Sequence, residues 1–352
     1  MCSCPHCRNQ ETAQRQINVF KMNADECAIR NVTASETQGK LMYDVEFGDG
    51  HHSMFPASLL TDRLDVSTRA ARGGFVLPST WRANIADDPP SVAYADIQAG
   101  AAGLARLLLQ IRRFGFAFVD EMPAIPEATE ALLNSVGPIR NTHYGAFYDF
   151  TSDLSSKDTA YTAEALEPHT DNTYFTEAAG LQALHMLSHT DGSGGESSLV
   201  DGFGAAAQLY HEDWQAYRLL SRTGVHAHAS GNEGISIQPA QSEPLLSHHA
   251  GMGYLMQVRW NNADRAGVAT SLQHMDKWYE AAAKFDAIVS DPKNQYWFQL
   301  KPGRMLRRSY ASFMRRRAGA DNASQSSTIG VFCMVEQPSP ASGGCVVVTV
   351  SA

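Results

Sequence analysis

Residues Leu41-Met42-Tyr43-Asp44-Val45-Glu46-Phe47 alternate apolar and polar side chains, the period of a strand with one buried face. Gly48-Asp49-Gly50 follows as a turn, and residues 1–66 read as a small β-rich unit. Residues 67–97, with Gly73-Gly74 and Pro89-Pro90, read as a linker. A larger domain begins near residue 98. Ala101 to Arg113 is predicted as a helix because Ala101, Leu104, Leu107, Leu108 and Ile111 share one face. Phe114 to Val119 then reads as a buried strand.

The clearest patterning lies between 180 and 220. Leu181–Leu187 is an apolar strand, His189–Gly195 a glycine-rich turn, and Ser197–Val200 a second strand. Two strands joined by such a turn predict antiparallel pairing with each other. Asp201-Gly202 leads a helix expected from about Phe203 to Leu220. Short strands at this density predict a mainly β fold with flanking helices, a double-sheet jelly roll rather than a doubly wound sheet. There is no internal repeat and no low-complexity tract.

Composition narrows the function classes. A chain of 352 residues with 43% hydrophobic content describes an ordinary globular protein. No run of 18 apolar residues is present, so no membrane-spanning helix is expected. A formal charge of -9 argues against a general nucleic-acid binder. No secretory or Arg-rich targeting segment is visible, which points to the cytoplasm, although a presequence lost upstream would escape notice.

Of the 6 cysteines, Cys2, Cys4 and Cys7 form C-x-C-x2-C. Three thiolates on a tight loop supply three of the four ligands that structural zinc needs, and His51 or His52 is the candidate fourth. The alternative is three free thiols at a frayed terminus. His-x-Asp, which on a strand places two metal ligands on one face, occurs three times, as His169/Asp171, His189/Asp191 and His211/Asp213. His211 falls in a helical pattern and reads as a solvated face. His189 and Asp191 open a turn. His169 follows Pro168 and leads into Asn172-Thr173-Tyr174-Phe175, an aromatic segment suited to a pocket wall.

The ordered blocks Asp158-Thr159-Ala160-Tyr161-Thr162, His169 to Phe175, Gly194-Gly195 and Leu199-Val200-Asp201-Gly202-Phe203 resemble the family of trimethyllysine and γ-butyrobetaine dioxygenases. Arg140-Asn141-Thr142-His143-Tyr144-Gly145 and Thr151-Ser152-Asp153 favour the trimethyllysine branch. The resemblance runs from residue 1 to about 306. It implies a double-stranded β-helix preceded by a zinc domain, with Cys2, Cys4, Cys7 and His51 as the zinc ligands. It also implies iron(II) on His169 and Asp171, 2-oxoglutarate near Ser197, and ascorbate as reductant. Tyr144, Tyr148 and Tyr161 would line a trimethylammonium pocket, consistent with cation recognition by aromatic faces. Asn261 and Asn262 match a substrate-contacting stretch. The implied reaction hydroxylates trimethyllysine at C3 with O2, the first step of carnitine synthesis, with a homodimer and a cytoplasmic or mitochondrial location as expectations.

Two departures qualify this. The family has a strand and loop ahead of the cysteines, where this chain has only Met1. After Leu306 the similarity stops. The family continues with a histidine that is the third iron ligand and an arginine that pairs with 2-oxoglutarate. This chain reads Arg307-Arg308-Ser309-Tyr310-Ala311-Ser312-Phe313-Met314-Arg315-Arg316-Arg317, with Arg315 about where the histidine should stand. Residues 307–352 are therefore expected as a tail outside the domain, without the apolar pattern of a closing strand. A frameshift or mis-joined exon is one explanation. A diverged terminus in a protein that has lost catalysis is the other.

Overall fold

The computed structural model describes residues 2, 4–59, 78–151, 166–178, 180–189, 196–230, 234–251, 253–309, 313–317 and 329–335. The chain divides into an N-terminal unit, Met1–Phe75, and a larger unit that begins at Val76.

In the N-terminal unit, β1 (Ile29–Thr37), β2 (Lys40–Phe47) and β3 (His52–Pro56) form one antiparallel sheet in that order. The alternation predicted for 41–47 is realised in β2, where Val45 is the buried position. The β2–β3 turn closes through Gly50, whose φ of +83° suits glycine. This sheet has little core. Among the described residues of the unit, only Cys7, Val45 and Ser53 are buried.

Among the described residues, the larger unit holds two main sheets, two smaller ones and their helices. β4 (Ser91–Ala93) leads into α1 (Tyr94–Gln98) and α2 (Ala101–Phe114), which ends at Gly115 in the left-handed region with φ +79°. Leu107, Leu108 and Ile111 of α2 are buried as predicted, whereas Ala101 is exposed. β5 (Phe116–Asp120), α3 (Pro126–Val136), β6 (Phe147–Thr151), β7 (Leu166–His169), β8 (Leu181–Ser188) and β9 (Ser197–Asp201) follow. Next come α4 (Gly202–Glu212), α5 (Trp214–Leu220), β10 (Gly224–Ala227), β11 (Glu243–Pro244), β12 (Leu246–His248), β13 (Leu255–Val258) and β14 (Arg265–Val268). α6 (Leu272–Ser290), β15 (Gln295–Phe298), β16 (Met305–Ser309), β17 (Phe313–Arg317) and β18 (Ile329–Val335) complete the order. The smaller sheets run β11-β10-β14 and β12-β13, and the two main ones β4-β5-β16-β8-β18-β6 and β15-β9-β17-β7. This is the expected jelly-roll arrangement, mixed with helices.

Four expectations are corrected. First, β8 and β9 do not pair with each other. β8 joins the six-stranded sheet and β9 the four-stranded one, because a jelly roll passes consecutive strands between its two sheets. Second, the helix expected over 203–220 is two helices. Asp213 leaves helical geometry at φ -151° and caps the second helix by accepting from the amides of Gln215 and Ala216.

Third, the described part of the expected 67–97 linker is built into the fold. β4 pairs in parallel with β5, and the Trp81 amide donates to Asp201 Oδ2 at 3.0 Å. Fourth, the boundary drawn at 306/307 falls inside β16. That strand is flanked on both sides, so its backbone groups need partners through Ser309. Arg307 is fully buried there, opposite Ala117 and Ala183, two small residues that leave room for it. β17 likewise closes the four-stranded sheet despite its unpromising sequence, bonded to both β7 and β9. Ladder bonds are made by the backbone, which an apolar count does not register.

Candidate functional site

β7 ends at His169, and the chain turns through Thr170, Asp171 and Asn172, the last in the left-handed region at φ +55°. The turn brings His169 Nε2 to 3.0 Å from Asp171 Oδ1, with both side chains partly exposed. His169 Nδ1 lies 2.7 Å from the Glu167 carbonyl. A carbonyl only accepts, so Nδ1 donates in this bond. Nε2 faces a carboxylate, and at this distance a proton or a metal ion stands between the two; anchoring of the far nitrogen is how metal-binding histidines are oriented.

The loop is held from below by the segment after β13. Thr170 N donates to the Trp260 carbonyl at 2.6 Å, and Trp260 N donates to Thr170 Oγ1 at 2.8 Å. The buried Arg259 guanidinium donates from Nη2 to the carbonyls of Thr173 at 2.6 Å and Phe175 at 2.7 Å. Asn261 Nδ2 donates to Thr170 O at 3.3 Å and to Asp264 Oδ2 at 2.8 Å, and Thr173 Oγ1 donates to the same carboxylate at 3.2 Å. Asn261, expected at the substrate, is thus bonded to the backbone of the His169–Asp171 turn. Asn262 is exposed and accepts from Arg265 Nη2 at 3.4 Å. Sequence reading did not find the roles of Thr170 and Arg259, since their partners stand some 85 to 90 residues away.

Above the turn is an aromatic cluster. The ring of His143 lies 3.9 Å from Tyr144, 5.9 Å from Tyr174 and 6.2 Å from Phe175, and Tyr174 lies 5.0 Å from Phe175. Asn172 Nδ2 donates to the Tyr174 hydroxyl at 2.7 Å. Burial pushes the Tyr174 phenol up to about 12, with Asp264 and Asp171 adding to the shift and bonds from Tyr144 and Asn172 opposing it. The structure therefore places Tyr144, together with His143, in a ring cluster with Tyr174 and Phe175. Tyr148 lies in β6 with its side chain outside the described residues, and Tyr161 lies outside them altogether. Ser197 is buried at the start of β9, opposite Phe298 on one neighbour and Arg317 on the other.

The other two His-x-Asp pairs stand apart. His211 is exposed on α4, as expected, and Asp213 bonds Lys284 at 2.6 Å. His189 is half-buried, and Asp191 lies outside the described residues.

In the N-terminal unit, the donor atoms of Cys2, Cys4, Cys7 and His51 all lie within 4.8 Å of one another. Ligands of tetrahedral zinc stand roughly 3.8 Å apart when bonds are about 2.3 Å, so the set is close to assembled. His51 Nδ1 is 2.8 Å from Asp49 Oδ1, which leaves Nε2 toward Cys7 Sγ at 3.8 Å. His52 turns instead to Asp44 at 3.2 Å. Burial acts to raise the Cys2 thiol, but bonds from Ser53, Cys4 and His51 outweigh it and bring it down to about 6. Burial and the neighbouring Cys4 and Cys2 push Cys7 up to about 12.

Residues 77–306 match the family model described as taurine catabolism dioxygenase TauD, TfdA family. The chain is 38% identical to trimethyllysine dioxygenase of Neurospora crassa, over 87% of this chain and 70% of that one. It is 28% identical to γ-butyrobetaine dioxygenase of a Pseudomonas species, over 86% of this chain and 77% of the other. Among solved structures, a taurine dioxygenase from Burkholderia xenovorans superposes with a TM-score of 0.52 at 12% identity, covering 78% of this chain and 98% of that one, a likeness of fold alone.

Proposed function

The chain belongs to the taurine catabolism dioxygenase TauD, TfdA family, and from that premise we propose that its site is built for iron(II)- and 2-oxoglutarate-dependent hydroxylation of N6,N6,N6-trimethyllysine at C3. The observation that carries the reading is the His169–Asp171 pair, 3.0 Å apart, followed at once by Asn172, which bonds the hydroxyl of Tyr174 in a ring cluster with His143, Tyr144 and Phe175. A trimethylammonium group cannot donate a hydrogen bond, so ring faces are the groups that recognise it. In this reading Tyr144 and its neighbours seat that cation. His169 and Asp171 hold the metal end of the site, and Ser197 stands near 2-oxoglutarate. O2 is the co-substrate and ascorbate the reductant. A free amino acid as substrate makes the product a hydroxylated amino acid suited to carnitine synthesis.

Iron fits only in part. A facial triad needs two histidines and a carboxylate. His169 and Asp171 supply two of the three, and the only group of three or more metal-binding side chains among the described residues is Cys2, Cys4, Cys7 and His51. A second reading, a relative that binds ligand without turnover, is favoured by one observation: Arg315 stands opposite His169 in the register. Mass spectrometry of trimethyllysine and γ-butyrobetaine, each incubated with the protein, iron(II), 2-oxoglutarate and ascorbate, separates the readings. Hydroxylated trimethyllysine with matching succinate sinks the non-catalytic reading. Faster conversion of γ-butyrobetaine sinks the substrate assignment.

For the N-terminal unit, a structural zinc ion is part of the same proposal. Its support is the four-donor cluster together with the near absence of a core in β1–β3, since sheets this small need a staple.

A further inference from the structure

Among the described residues β7 lies at the edge of the four-stranded sheet, ordered β15-β9-β17-β7, and β17 is the described strand bonded to it. The register sets Arg315 opposite His169 on one side and opposite Leu199 of β9 on the other. Residues opposite each other on antiparallel strands have Cβ atoms about 5 Å apart on one face of the sheet. Two ligands of one metal ion need a separation of that order. Position 315 is therefore the place on this sheet from which a third ligand would meet the ion held by His169 and Asp171.

Arginine cannot serve there. A guanidinium offers five N–H donors and no acceptor, and it stays protonated at any pH a protein survives. Its charge also opposes a divalent cation. The rest of the strand, Phe313, Met314, Arg316 and Arg317, contains no imidazole, carboxylate or thiolate. We infer that Arg315 occupies the third-ligand position of the metal centre, that the chain as it stands holds a divalent ion there only weakly, and that one substitution, Arg315→His, completes the centre. The inference rests on the reading of His169 and Asp171 as metal ligands.

The test is Mn(II) titration of the zinc-loaded full chain, followed by the electron paramagnetic resonance signal of free Mn(II). A single equivalent of zinc, taken by the thiolates and with any excess removed before the titration, fills the cysteine cluster and removes it as a competitor. The unaltered chain is expected to take up no Mn(II) at micromolar concentrations. R315H is expected to bind one equivalent on the order of 100-fold more tightly. Adding H169A to R315H is expected to abolish the gain. R315E, which also supplies a lone pair, keeps the test open if R315H does not fold, and R315A controls for loss of charge alone. One equivalent bound by the unaltered chain as tightly as by R315H overturns the inference, as does an equal gain in R315A. Mn(II) binding restored by R315H but insensitive to H169A instead removes the metal-ligand reading beneath it.

Discussion

Asn261 donates from Nδ2 to the main-chain carbonyl of Thr170, the residue between His169 and Asp171, at 3.3 Å. Its other bonds, to the Asp264 carboxylate and from the Ala263 and Asp264 amides, fix the amide plane from which it does so. Thr170 is itself joined to Trp260 by three bonds, one through its amide and two through its hydroxyl. The two metal-ligand candidates thus flank a residue clamped from a segment 90 positions away. Metal sites work only when ligand side chains are held within a fraction of an ångström, and this clamp supplies that restraint.

Thr170→Val keeps the shape and removes the hydroxyl that accepts from Trp260 N. A buried amide left without its partner costs about 1–3 kcal/mol. Urea unfolding should show a loss of that size, and a stability equal to the parent would contradict the clamp.

Arg259→Met should cost more, about 2–4 kcal/mol, because two carbonyls lose a charged donor at once. It should also loosen Thr173 to Phe175 and with them the aromatic wall. The check is near-ultraviolet circular dichroism beside thermal unfolding. A destabilised variant with an unchanged aromatic signal would separate Arg259 from the wall.

Stability should depend on pH through His185. It is buried in β8, 2.7 Å from Thr129 Oγ1, and burial brings its pKa down to about 4. The ordinary value for histidine is near 6.5, so between pH 6.5 and 4 the unfolded chain takes up a proton that the folded chain refuses. That contribution therefore falls as pH falls, by roughly 3 kcal/mol over the window. Asp201 acts oppositely. Burial raises its carboxyl to about 6 against bonds from Gly204, Trp81 and Phe203, so the folded chain protonates first and gains stability as pH falls. The two oppose each other in the parent protein. H185Q should uncover the Asp201 trend, with its unfolding free energy rising relative to the parent from pH 7 to pH 4. Parallel pH profiles for the two proteins would count against a neutral buried His185.

Chelation should unfold one unit and spare the other. Stripping metal with a strong chelator should abolish hydrogen-exchange protection in β1–β3, whose buried described residues are Val45 and Ser53 alone. Protection in β5 and β8, with their own apolar core, should persist. Retained protection in β1–β3 would mean that the cysteine cluster is not a metal staple.

What the sequence made legible was local. The period-2 run of β2 and the amphipathic face of α2 depend on neighbours in the chain, and both emerged as read. The His169–Asp171 contact and the aromatic segment after it were legible as a block because they are contiguous in the chain. Three features were not. The pairing partners of β8 and β9 depend on which sheet each strand enters, and a glycine turn does not encode that. The clamp from Arg259 and Asn261 joins polar side chains to distant carbonyls, which leaves no periodic trace. The strand at 313–317 is defined by its ladders to β7 and β9, so its three arginines concealed it. Its residue types, in contrast, were legible, and the ladder sets one of those arginines, Arg315, opposite His169.

The most direct test of the central claim is calorimetric titration of the zinc-saturated protein with trimethyllysine, lysine and γ-butyrobetaine, in the parent and in Tyr144→Ala. The account predicts that trimethyllysine binds at least about 10-fold more tightly than lysine, the worth of a cation–π contact of 1–2 kcal/mol. It also predicts that γ-butyrobetaine binds more weakly than trimethyllysine and that Y144A erases the preference for the methylated side chain. Equal affinity for lysine and trimethyllysine, or a preference that survives Y144A, would contradict it.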